Sequence, residues 1–302
     1  MNPLSLPVAT GNATSVGAGI LFLILSILSS VIIANLLRFS EHRRSSRLVV
    51  IAANYITCTV SSVVYGLSTG GLSLSGGVAG LGIITGVSFA MTFWLMIIAI
   101  GRVGIAIPVS VTRLAVVLPI AVSLVVYGER PNTWQQAGLA LALVALVLFG
   151  RSAGGDGRTV VPRWQTFLLV LGLFLGMGIN GVNMKIFEEE FSVDASLYGF
   201  LAFLFGTAML LSWALVLTRR RERVTPFAVG LGLVLGLPNL LSSVFFILAL
   251  RYLPGIVVFP LNDVGIVIVS ALTGVLFWRE KLSLLTRLAL MVSLAAIALM
   301  NL

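Results

Sequence analysis

Two charges stand where the chain is otherwise nearly all apolar. Asp263 follows Pro260 and Asn262 within VVFPLNDVGIVIVSALTGVLFW (257–278), and Arg113 follows Thr112 within GIAIPVSVTRLAVVLPIAVSLVVYGER (104–130). A charged side chain at the centre of a bilayer costs ~2.5–3.5 kcal/mol on insertion scales, so such residues face a protein interior or a water-filled cavity. Asp263 lies eight residues into its apolar run, about 12 Å at a rise of ~1.5 Å per helical residue. Arg113 lies nine residues into its own run, entered from the opposite face. Three kinds of chemistry fit this pair. The first is a structural ion pair. The second is a substrate site, in which the planar guanidinium fork of Arg113 takes a carboxylate or phosphate and Asp263 holds an ammonium or sugar hydroxyls. The third is proton coupling through the Asp263 carboxyl.

The elements that carry these charges follow from composition. Of 302 residues, 59% are hydrophobic and 10% are charged, against about 25% charged in a soluble domain. That much apolar surface calls for a bilayer, and lipid demands helices that satisfy their own backbone. Ten apolar runs stand out, at roughly 17–37, 48–68, 77–100, 104–127, 134–150, 164–186, 195–217, 226–249, 255–277 and 283–301. The expected fold is therefore an all-α integral membrane protein of ten transmembrane helices. The run at 134–150 is short, and that at 164–186 is rich in glycine.

The fourth and ninth runs are copies of one pattern. Each opens with Gly-Ile, carries an early proline (Pro108, Pro260) and closes on a glutamate, Glu129 or Glu280, 25 residues after its first glycine. Seventeen residues before Glu280 stands Asp263, and seventeen before Glu129 stands Thr112, beside Arg113. A weaker echo joins ANLLRFSE (34–41) to VNMKIFEE (182–189). Copies separated by five spans are inverted with respect to each other, the arrangement of secondary transporters that hold substrate near the midplane. The chain thus divides into an N-terminal tail (1–16), a first five-helix repeat (17–150), a basic, glycine-containing linker (151–163) and a second five-helix repeat (164–302).

The five-plus-five plan, the YGERP (127–131) and FWREKLS (277–283) ends, and the proline in the fourth helix of each half resemble the EamA-like branch of the drug/metabolite transporter superfamily. The resemblance spans essentially the whole chain. It implies ten helices and the movement of small metabolites such as amino acids, sugars, nucleotide sugars or drugs. In one respect the chain departs from the family pattern. Typical members resemble an N-inside arrangement with a basic loop after the second helix, whereas here that loop is STGGLSLSGG (68–77) and the basic loop follows the first.

Orientation follows from Lys and Arg in alternate loops, which favour the cytoplasm. One set, Arg38, Arg43, Arg44, Arg47, Arg102, Arg151, Arg158, Arg163, Arg219, Arg220, Arg221, Arg223, Arg279 and Lys281, numbers fourteen; the other, Arg130, Lys185 and Arg251, numbers three. Both termini are therefore expected outside the cytoplasm, in a bacterial inner membrane.

Further polar residues inside the runs are candidates to line a site: Asn262, Thr112, Asn180, Asn183, Asn54, Tyr55 and Trp94, along with Asn35 and Asn239. An intramembrane asparagine more often bridges helices, at ~0.6 kcal/mol on average. Glu129 and Glu280 fit helix-end caps or, alternatively, gates that pair with loop arginines. Pro108 and Pro260, with Pro119, Pro238 and Pro254, can kink helices and serve as hinges.

Other classes fit less well. The net charge of +9 is scattered over short loops, which argues against nucleic acid. Cys58 is the single cysteine and His42 the single histidine, so a thiolate- or imidazole-rich metal site is not expected, nor is any cofactor. No paired intramembrane carboxylates or phosphate-cradling glycine motif favours an enzyme, and no nucleotide-binding domain accompanies the spans. The reading is a secondary active transporter of a small polar metabolite, preferably a zwitterion or organic anion, working by alternating access as monomer or homodimer. Its partners are the solute, a coupling proton or exchanged solute, and membrane lipid. The alternative is a flippase or transporter of an amphipathic or sugar-like solute.

Overall fold

The computed structural model of the protein describes residues 13–43, 45–69, 75–103, 106–152, 162–193, 196–219, 223–279 and 283–300. Its elements, in order, are α1 (Ala13–His42), α2 (Arg47–Ser68), α3 (Gly76–Val103), α4 (Ala106–Leu114), α5 (Val117–Val125), α6 (Thr133–Ser152), α7 (Arg163–Ile186), a π-helical turn (Phe187–Phe191), α8 (Leu197–Thr218), α9 (Pro226–Tyr252), α10 (Gly255–Trp278) and α11 (Leu284–Met300). Eight stretches are long and apolar enough to cross a membrane, with Ile107–Val125 (α4 and α5 together) as one of them. Thr133–Leu148 and Leu284–Met300 are shorter apolar helices. The protein is an all-helical integral membrane protein among the described residues. Eight of the ten runs expected from hydropathy meet the length of a span; the fifth and tenth form helices that fall short of it.

Polar caps set where the helices begin. Ser46 accepts from the Val49 amide at 3.3 Å, Ser196 from Gly199 at 3.4 Å, Thr225 from Ala228 at 3.2 Å and Ser283 from Thr286 at 3.1 Å. At α6, Asn132 and Gln135 cap each other, side chain to backbone, at 2.8 and 3.1 Å. These bonds satisfy amide donors that a helix start otherwise leaves bare.

The described chain forms two compact units: Met1–Ala90 with Ile186–Tyr252, and Met91–Lys185 with Leu253–Leu302. Each draws on both halves of the sequence, and the division falls inside α3 and at the end of α7. In the first unit α9 packs on α1 and α2, and α2 also packs on α8. Glycine permits the closest approaches. A Cβ on Gly232 of α9 would strike the Val50 carbonyl and the Ala53 side chain of α2, and one on Gly86 of α3 would strike the Leu204 carbonyl of α8. In the second unit α6 packs on α4, α10 and α11, and α10 packs on α5 and α11. There α7 meets α3 where Gly172 faces Leu95 and Gly176 faces Thr92.

The break between α4 and α5 has a local cause. Pro119 has no amide hydrogen to give to the Ala115 carbonyl, and its ring crowds that carbonyl. The chain tightens instead, with Val116 N donating to Arg113 O at 3.4 Å and Leu118 N to Ala115 O at 3.1 Å. Arg113 therefore lies in the last turn of α4, where exposed carbonyls favour a cation. Pro108 lies in the first turn of α4, where a missing amide hydrogen removes no helical bond; of the prolines in this stretch, Pro119 makes the interruption. Pro260 lies inside an α10 that continues through it.

Candidate substrate site

Arg113 and Asp263 meet. Arg113 Nη1 donates to Asp263 Oδ1 at 3.1 Å, across the packed α4–α5 and α10 segments of the second unit. The contact is single: no other described residue bonds the remaining guanidinium nitrogens or Asp263 Oδ2. The two side chains keep 29% and 22% of their surface exposed. A fully buried pair costs on the order of 3–5 kcal/mol to break by removing one partner, whereas an exposed pair is worth about 0–1 kcal/mol. This pair lies between those limits. Its geometry lets another carboxylate take the free edge of the fork, and another cation the free oxygen.

The flanking candidates divide by unit. In the second, Asn262 is half-buried beside Asp263, and the Thr112 hydroxyl turns back to Val109 O at 2.9 Å within its own helix. Asn180 and Asn183 are buried on α7; Asn180 Oδ1 and Asn183 Nδ2 have no partner among the described residues, and neither does Trp94 Nε1 on α3. A buried amide atom without a bond costs about 1–3 kcal/mol, so these positions suit a polar solute or water. Gly181, between the two asparagines, faces Pro119 of α5 and Phe259 of α10.

In the first unit Asn54 is fully engaged. Asn239 Nδ2 donates to Asn54 Oδ1 at 2.9 Å, Asn54 Nδ2 to Ile51 O at 3.3 Å, and the Cys58 thiol to Gly236 O at 3.2 Å. This is a helix bridge between α2 and α9. Tyr55 is buried with its ring 6.0 Å from that of Phe205 on α8. Asn35 donates to Val31 O at 2.9 Å within α1.

Glu129 closes a second constellation in the second unit. Its Oε1 accepts from Lys185 Nζ at 2.6 Å and from Gly255 N at 2.9 Å, while Oε2 accepts from Ile256 N at 2.8 Å. A carboxylate thus caps the N-terminus of α10, where the helix dipole favours an anion. Gly128, at φ +65°, makes the turn that aims it. Its cation is Lys185, 1% exposed and 5.5 Å from the Tyr127 ring, rather than a loop arginine. Glu280 lies outside the described residues.

Two cations counted with the outer loops are in fact helical and paired. Lys185 lies in the last turn of α7, and Arg251 in the last turn of α9 donates from Nε to Glu188 Oε1 at 3.3 Å. No periodic pattern marks either pair in the sequence; the one available signal is that Lys185 falls within the apolar run 164–186.

Comparison with known proteins agrees with this architecture. Residues 164–302 match the EamA-like transporter family. The match bears out the resemblance to the drug/metabolite transporter superfamily, and it is consistent with a membrane transporter of that type. An uncharacterized protein of Haemophilus influenzae is 25% identical over 283 residues, 91% of this chain and 95% of its own. A protein of known crystal structure shares the fold at a TM-score of 0.74 and 16% identity, over 96% of this chain and 96% of that one. The EamA-like match covers α7 to α11 and so includes Asp263 but not Arg113.

Proposed function

We propose that the protein is a ten-span secondary transporter built from two inverted repeats, which moves a small zwitterion or organic anion across the bacterial cytoplasmic membrane by alternating access. The carrying observation is the half-open Arg113–Asp263 pair at a helix interruption. Interrupted helices at mid-depth are where such transporters bind substrate. A bound zwitterion offers a carboxylate to Arg113 and an ammonium to Asp263, so it replaces the pair it opens. Asn180, Asn183 and Trp94 add uncommitted polar atoms in the same unit.

Two features support the repeat. Number the segments in order, with α4–α5 as the fourth, and exchange each with the one five places on. The pairing α1·α9 then becomes α7·α3, α2·α9 becomes α8·α3 and α4·α6 becomes α10·α11, while α2·α8, α5·α10 and α6·α11 map onto themselves; each occurs. In addition, Gly128 (φ +65°) and Arg279 (φ +53°) hold left-handed backbone at equivalent places, each one residue before its repeat's glutamate. Loop charge supports termini outside the cytoplasm, with fourteen cations in one set of loops against three in the other.

The test is uptake by proteoliposomes of wild type, Asp263→Asn and Arg113→Gln, each shown folded by size-exclusion profile. Loss of transport in both variants is expected. Full transport in either removes the pair from the mechanism.

A further inference from the structure

Glu188 is a buried carboxyl for which the substrate site has no use. It lies in the π-helical turn Phe187–Phe191 that continues α7, and its side chain is 8% exposed. Only Oε1 is engaged, by Arg251 Nε at 3.3 Å and the Ser192 hydroxyl at 3.2 Å. Arg251 Nη2 turns instead to Ser192 O at 3.0 Å. Oε2 is buried and has no hydrogen-bond partner among the described residues.

That arrangement is an expensive way to build a permanent ion pair. Stable pairs of Arg with carboxylate tend to be bidentate, with both oxygens used. Here one oxygen is withdrawn from water with no bond from a described residue in return. Among the described residues, the charged groups facing Glu188 are Arg251 from α9 and Glu189 from its own turn. From α8 the contact on this turn is Phe200, stacked on Phe187 at 4.4 Å, and from α3 it is Gly77, against Phe191. One cation and one neighbouring anion thus share a largely apolar surrounding. π-Turns inside helices are found mostly at functional sites, and this one rotates Glu188 inward while Glu189 and Glu190 stay exposed.

We propose that Glu188 is a proton-binding site, with Oε2 as the atom that takes the proton and Arg251 as the counter-charge released when it does, and that this proton is the one coupled to transport. The second clause rests on the proposed transport function; the first does not. Protonation forms an O–H bond at Oε2 and leaves Arg251 with the Ser192 carbonyl, so no group other than the proton itself is consumed.

Infrared difference spectroscopy on the full chain in lipid nanodiscs, stepped between alkaline and acidic buffer, reads the site without any substrate. A carboxylic C=O band should appear on acidification, vanish in Glu188→Gln, shift in frequency in Glu188→Asp and persist in Asp263→Asn. A band unchanged in Glu188→Gln overturns the site. If that variant does not fold, a band unshifted in Glu188→Asp overturns it. The second arm is proteoliposome uptake with and without an imposed pH gradient. Loss of the gradient-driven part in Glu188→Gln, with solute exchange at equal pH retained, is expected. An equal response to the gradient in wild type and variant overturns the coupling. A titrating Glu188 band in a protein that carries no solute would leave the site standing and remove the transport reading alone.

Discussion

At the scale of single residues, the account turns on which charges are committed and which are open. Glu129 is committed. Its carboxylate serves two amides of α10 and the buried ammonium of Lys185. Glu129→Gln should therefore destabilise by on the order of 3–5 kcal/mol, because it strands a buried charge. Thermal unfolding in detergent should show this, and adding Lys185→Met should recover much of it. Arg113 is open, so Arg113→Lys should leave the fold intact and still impair transport, since a point charge replaces a two-pronged donor. The expected sign is a raised KM for carboxylate-bearing solutes in an uptake assay; an unchanged KM would mean that the fork does not touch the solute. The sequence exposed Arg113 and Asp263 plainly, because a charge in an apolar run has few bland explanations. It concealed Lys185, Glu188 and Arg251, because charges at the end of an apolar run read as loop. Only the continuation of α7 into a π-turn shows that the first two are inside.

At the scale of elements, the helices themselves were legible, since hydropathy averages over a whole span and survives local error. The interruption of the fourth span was not. Pro108 and Pro260 drew attention as matched prolines, yet a proline acts according to its distance from the helix start, and that distance is visible only once the helix start is known. Pro119→Ala restores a donor for the Ala115 carbonyl and should join α4 to α5. Since an interior proline costs ~3 kcal/mol or more, the variant should melt higher and transport more slowly; faster transport would show that the interruption is incidental. Packing of α9 on α2 gives an independent check. Gly232→Ala drives a methyl into the Val50 carbonyl, and overpacking of this kind costs about 1–3 kcal/mol, which denaturant titration would detect.

At the scale of the whole molecule, the division into two units with helices from both sequence halves could not be read from the repeat alone, because periodicity says which segments are alike and not which ones touch. Orientation is a separate matter that rests on charge. In a Cys58→Ser background, Arg130→Cys should react with a membrane-impermeant maleimide added outside intact cells, and Arg219→Cys only after the cells are opened. The reverse pattern would place the termini in the cytoplasm.

The central claim, that a small charged solute binds at Arg113 and Asp263 and is carried across, is met most directly by solid-supported-membrane electrophysiology on proteoliposomes. Pools of amino acids, organic acids, amines, sugars and phosphates would be applied to wild type and to Asp263→Asn. The account predicts a current from an amino-acid or organic-acid pool that disappears in the variant. A current that persists undiminished in folded Asp263→Asn would contradict it.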